Sequence, residues 1–145
     1  MRWLFIFLGI IPLLLFSQVD DAAKYHVYSK NRLTIIDDYV TVTGIVKLIE
    51  ASIDGDIHIQ IMIDSVYNHM LTVNNFTKQN GCLVAEIVCF NDSPFRICNN
   101  YVSGIELPEL GDYIQISGPL VFDKRHKWNE IHPIEKLVTL RSLLW

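Results

Sequence analysis

The chain has no Gly-rich phosphate loop, no Cys-x-x-Cys pair and no serine set in a nucleophile elbow, so neither a phosphate-loop nucleotide site nor a serine or cysteine triad has support. It is also short of positive charge. Twelve Lys and Arg against sixteen Asp and Glu give a formal charge of −4, which offers no broad basic field to collect phosphates and weighs against non-specific binding to DNA or RNA. There is no collagen-like repeat, heptad run or low-complexity tract. What is present is apolar: 50% of the 145 residues are hydrophobic, too many for a disordered chain and enough for one packed domain, while two domains would be hard to fit.

The longest apolar run, Trp3 to Phe16, follows the single cation Arg2 and precedes Ser17, Gln18 and the acidic pair Asp20 and Asp21. That is the pattern of a signal peptide. The run falls short of the ~20 residues a spanning helix needs, and Pro12 interrupts it. No Ala-x-Ala cleavage site follows, and Ser17 is the only small residue near the expected cut, so an uncleaved N-terminal hydrophobic helix is the alternative. Either way the remainder is expected outside the cytoplasm, touching a membrane only through residues 3–16 if these are retained. The expected organisation is a signal peptide or membrane anchor over 1–19, a linker or N-terminal extension over 20–38, and one domain over 39–145.

Export changes how the three cysteines are read. Cys89 and Cys98 bracket the turn-like Asn91-Asp92-Ser93-Pro94, which predicts a Cys89–Cys98 disulfide and leaves Cys82 over. Two sequons, Asn75-Phe76-Thr77 and Asn91-Asp92-Ser93, fit an exported surface but carry little weight.

Within the domain, Tyr39 to Glu50 is β-branched with Gly44 inside, as in a long strand that bends. Asp54-Gly55 marks a hairpin, and Ile57-His58-Ile59-Gln60-Ile61-Met62-Ile63 alternates strictly, placing four isoleucines on the core face. A short helix is expected from Asp64 or Ser65 through Leu71, a third strand over Leu83 to Phe90, a fourth over Tyr113 to Phe122 bent at Gly118-Pro119, and a return strand from Trp128 to Leu140. Five such strands, with Gly111-Asp112 introducing the last two, resemble an OB-fold: an all-β, partly open Greek-key barrel. A small β-sandwich is the alternative.

The most distinctive words are Gly55-Asp56-Ile57-His58 and His126-Lys127-Trp128-Asn129-Glu130-Ile131-His132-Pro133. Together with the cysteine-bounded loop they resemble a group of small exported prokaryotic proteins of OB-like fold, over roughly Tyr39 to Leu137. The resemblance implies the fold and the exported location and supplies no reaction.

With Ile131 in the core, the period-two rule puts Trp128, Glu130 and His132 on the outward face of the last strand. In an OB-fold the first and last hairpin loops flank one surface, so Asp56, His58, His126, Glu130 and His132 are expected to converge on a rim. Imidazoles and carboxylates in that mixture suit Zn²⁺ or another first-row divalent metal, although the spacing matches no named metalloenzyme motif. The plainer reading has His58 and His132 bonded to carbonyls or carboxylates, Asp56 capping the hairpin and Glu130 paired with Lys127. Direct contact of the rim with an organic ligand is a further alternative, and Lys124, Arg125, Lys127 and Trp128 form a second candidate contact, for nucleic acid or an anionic polymer, whose plainer reading is a solvated hairpin tip.

The sequence therefore points to an exported binding or interaction module of open ligand identity rather than an enzyme. A metal-binding protein or metal-dependent hydrolase, and a structural subunit of an envelope complex, are the competing readings. Nucleic acid ranks last among the partners.

Overall fold

The computed structural model describes residues 17–91 and 95–141. The apolar run Trp3–Phe16, the second sequon's Asp92 and Ser93, and the end of the C-terminal tail lie outside them. Seven strands form one sheet: β1 (Ser17–Val19), β2 (Leu33–Ala51), β3 (Ile57–Ile63), β4 (Leu83–Ile87), β5 (Tyr113–Asp123), β6 (Trp128–Ile131) and β7 (Lys136–Arg141). One α-helix, α1 (Val73–Lys78), and several single 3-10 turns complete the described chain.

The strand order β5-β2-β3-β4-β6 closes on itself, because β6 pairs with β5 as well as with β4. All contacts around this ring are antiparallel except β4 with β6, which is parallel. The strands thus form one closed ring and not the two facing sheets of a sandwich. β2 makes closure feasible by its length: with 19 residues it pairs with β5 along Leu33–Ile45 and with β3 along Gly44–Ala51. Irregular register at Ile35/Asp37, Asp37/Val40 and Val46/Leu48 supplies the curvature. At Gly44, where both partner strands meet β2, a Cβ would lie 2.5 Å from the Met62 carbonyl oxygen, so only glycine fits. The β2–β3 turn requires Gly55 at φ 94°, the left-handed region that glycine enters without cost.

The ring interior follows the alternation. Ile57, Ile59, Ile61 and Ile63 of β3 meet Leu83, Ala85 and Ile87 of β4, Ile114, Ile116 and Leu120 of β5, and Ile131 of β6. Gly118 lets the 132–135 segment lie directly on β5, since a Cβ there would collide with the Pro133 carbonyl oxygen.

Several elements differ in detail from the expectation. Over residues 20–38, expected as a linker or N-terminal extension, Asp20, Ala23 and Val27 are buried, and β2 begins at Leu33 rather than Tyr39. Residues 17–19, the last of the 1–19 segment expected as a signal peptide or membrane anchor, pair with β7. The long return strand is split into β6 and β7 around the cis His132-Pro133 peptide. The short helix expected from Asp64 or Ser65 through Leu71 is a 3-10 helix, Ser65–Met70, and an α-helix follows it, started by a capping box between Thr72 and Asn75. Asn75 is fully buried, its amide bonded to the carbonyls of Cys82 and Asn129, so the first sequon offers no surface acceptor.

The Cys89–Cys98 disulfide forms, with 5.5 Å between the Cα atoms, and Cys82 is a buried free thiol. Its loop packs on the N-terminal segment, where His26 stacks on Tyr101 at 3.7 Å and Ala23 and Val27 meet Val88 and Cys89. A disulfide fits an oxidising, extracytoplasmic environment. Among the described residues no helix is long and apolar enough to cross a membrane.

Candidate functional site

The outward faces of β4 and β6 carry charge that the N-terminal segment then covers. On β4, Leu83, Ala85 and Ile87 enter the core, so Glu86 points out of the ring beside His58, its partner on β3. On β6, Ile131 enters the core and Glu130 points out, as the alternation requires. Neither acid reaches solvent, for Glu86 is 1% and Glu130 0% exposed. The 3-10 turn Lys30–Arg32 brings Arg32 over this surface, and the 132–135 segment closes it from the side.

The result is a buried network of charges. His132 Nδ1 lies 2.9 Å from Glu86 Oε2 and 3.0 Å from Glu130 Oε1. Carboxylates only accept, so Nδ1 carries the proton. Glu130 also accepts from Trp128 Nε1 at 2.7 Å. Glu86 faces His58 Nε2 at 3.3 Å and Arg32 at 3.9 Å, and the Arg32 guanidinium reaches on to Asp123 at 3.3 Å. Asp123 accepts the backbone N–H groups of Arg125 and His126, with His126 Nδ1 3.0 Å from its other oxygen. Asp56, 2% exposed, accepts the Cys89 N–H at 2.7 Å and so ties the first hairpin to the disulfide.

Burial alone would push the His132 imidazolium toward neutrality, but the charges of Glu86 and Glu130 outweigh it and hold its pKa well above that of a free histidine. Glu86 is the counterpart: burial raises it, and the positive charges of His132, His58 and Arg32 overcome that and hold it well below the usual range. For Asp56 desolvation wins and pushes it up to about 6, with Asp54 and Glu86 adding to the rise and the Cys89 N–H and the His132 charge opposing it.

No family model, no curated protein and no solved structure matches this chain. The site is therefore read from its own chemistry. The five residues expected on one rim are divided: ligand atoms of Asp56, Glu86 and His132 gather within 4.8 Å of one another, as do those of Asp123, His126 and Glu130, and His58 belongs to neither group. The outward orientation of Glu130 and His132 is as expected, but the outward face is covered, so this is a buried network and not an open rim. Arg32 and protonated His132 already hold the cationic positions between the acids. Glu130 pairs with His132 and Trp128 rather than with Lys127, and Asp54 rather than Asp56 caps the hairpin, through the Asp56 N–H.

Of the second candidate set, Lys124, Arg125 and Lys127 sit exposed at the β5–β6 tip, whereas Trp128 is half-buried and stacks on His126 at 4.4 Å. An open hollow of about 140 Å³ lies next to it on the outer face of β3 and β4, lined by Glu50, His58, Gln60, Gln79 and Trp128 among others. The reading from sequence missed Arg32, Glu86 and Asp123. Glu86 had a signal, since it is the one charge in the run Leu83 to Phe90.

Proposed function

We propose that the chain is an exported, OB-like binding module that holds a small, hydroxyl-rich, uncharged ligand in the hollow on the outer face of β3 and β4. Numbering β2 to β6 as first to fifth, the ring order first-second-third-fifth-fourth, with third and fifth parallel, supports the OB-like Greek-key reading. The face of the second and third strands, between the first and last hairpin loops, is where OB-folds take oligosaccharides and oligonucleotides. The observation that carries the reading is the lining: two amides, an imidazole and a carboxylate beside the Trp128 indole, with no cluster of cations among them. An indole gives the apolar face of a sugar ring a stacking surface, and amides exchange hydrogen bonds with hydroxyls in either direction. The acidic balance of the chain and Glu50 at the hollow disfavour a polyanion there. Titration of the protein with a panel of neutral linear oligosaccharides by isothermal calorimetry tests this. Binding that is lost with Trp128→Ala and Gln60→Ala is expected; no binder in the panel, or a binder indifferent to both changes, overturns it.

The divalent-metal reading rests on the close approach of Asp123, His126 and Glu130. It competes with the Arg32 guanidinium for the same Asp123 carboxylate. Elemental analysis of the untagged protein after incubation with Zn²⁺ distinguishes the two: one ion per chain, lost with His126→Ala, would favour the metal.

A further inference from the structure

A second cleft, of about 210 Å³, opens between the N-terminal segment and the outer face of the ring, away from the hollow beside Trp128. Its walls are apolar at Val27, Val121 and Pro133, Lys24 and Lys30 stand on its N-terminal side, and His132 lines it. His132 is 2% exposed and its Nδ1 is committed to Glu86 and Glu130. In an imidazole ring the two nitrogens point in widely divergent directions, so Nε2 is turned away from both acids. Nε2 has no hydrogen-bond partner among the described residues. A buried donor left unpaired costs roughly 1–3 kcal/mol, more when charged, and an acceptor arriving in the cleft recovers that cost.

We propose that this cleft binds a small organic carboxylate, with its apolar body against Val27, Val121 and Pro133, one oxygen accepting from His132 Nε2–H and the charge facing Lys30 and Lys24. Three features select this class. The walls demand an apolar body, and the volume, below the ~300–1,000 Å³ of sites for drug-sized ligands, limits it to a single ring or a short chain. With Nδ1 protonated and two carboxylates beside it, the ring is an imidazolium and Nε2 a donor, so the ligand's polar end must accept. Four buried acids (Asp56, Glu86, Asp123 and Glu130) surround Arg32 and His132, with the part-exposed His58 and His126 at the edge of the network. The two lysines must therefore carry the long-range attraction for an anion. Lys30 matters more, because Lys24 shares its charge with Glu135.

Benzoate is the probe, with benzamide as its uncharged match, followed on the full-length protein by ¹H–¹⁵N NMR including the histidine ring nitrogens. Saturable binding of benzoate with a Kd of about 1 mM is expected for a ligand of this size. Binding should move the His132 Nε2 resonance and exceed that of benzamide by about tenfold, or about 1.4 kcal/mol. Lys30→Glu and Ile35→Trp, both at exposed positions lining the cleft, should each weaken binding about tenfold without disturbing the buried network. The proposal is overturned by an absence of saturable binding, by equal affinity for benzamide, by indifference to both substitutions, or by an Nε2 resonance that stays fixed while benzoate binds.

Discussion

Removing His132 from between Glu86 and Glu130 should show whether the covered face is held together by one coupled charge network. His132→Gln leaves two buried carboxylates facing each other across the space that its Nδ1 spans at 2.9 and 3.0 Å. Breaking a buried pair from one side costs about 3–5 kcal/mol, because the remaining charge is left without its partner. Glu86→Gln should cost less, about 1–3 kcal/mol, since Glu130 still accepts the Nδ1 proton. In the double variant Glu130 is the one member of this trio still charged, so its loss should fall short of the sum of the singles by about 2 kcal/mol. Urea unfolding at pH 7 measures all four forms, with a common slope required before the free energies are compared. The same network predicts a pH signature. His132 binds its proton more tightly when folded than at the ordinary 6.5, so its contribution is complete below pH 6.5 and is lost as pH rises toward the folded-state value. The slope is about 1.4 kcal/mol per pH unit over that stretch. Glu86 works from the other side: its contribution is present above the ordinary 4.5 and is lost as pH falls. The pair is therefore at full strength between pH 4.5 and 6.5. Additivity of the two singles within about 0.5 kcal/mol, or an alkaline decline that persists in His132→Gln, would refute the network.

Asp56, raised by burial from 3.8 to about 6, should itself lower stability as pH climbs through that interval. Asp56→Asn, which keeps an acceptor for the Cys89 N–H, should then stabilise the fold at pH 7 by up to about 3 kcal/mol, with the gain vanishing below pH 4 in urea titrations. Replacing Cys89 and Cys98 together by serine opens a loop of sequence separation 9. The chain-entropy relation puts the loss at about 2.7 kcal/mol, measurable as a lower urea midpoint, and an unchanged midpoint would mean that the bridge constrains nothing. Asn75→Ala removes a fully buried side chain that bonds Cys82, Asn129 and the start of α1, and should cost about 3–5 kcal/mol; a loss under about 1 kcal/mol in thermal unfolding would contradict the burial. Gly118→Ala should displace Pro133 and with it His132, so the His132 ring resonances should shift even if the fold survives.

The interior was readable because strand alternation is a local property. Ile57, Ile59, Ile61 and Ile63 had to share a face, and the face they share is the core. Asp54-Gly55 and the cysteine-bounded turn were equally local. The covered face was not readable, for alternation assigns Glu130 and His132 to the outside of a strand without revealing whether another segment lies on top. That depends on Arg32 and the 20–32 segment, whose docking is set by Asp20 accepting from Tyr101 and Ser103 more than eighty residues away. A polar tract with three positive charges, Lys24, Lys30 and Arg32, looks like a linker until its partners are known. The split of the last strand escaped for a related reason: Pro133 forbids continued pairing, yet the apolar pattern runs straight through it.

The placement of β1 bears on how the outer edge of β7 is covered. The closed ring has no bare edge, but β7 hangs from β5 outside it, and Lys136 to Val138 find their second partner only in residues 17–19. A chain shortened to begin at position 20 would lose that partner and leave an open template for pairing with another copy, whereas one beginning at position 17 would keep it masked. The three residues of β1 thus separate a covered edge of β7 from one open to a second copy.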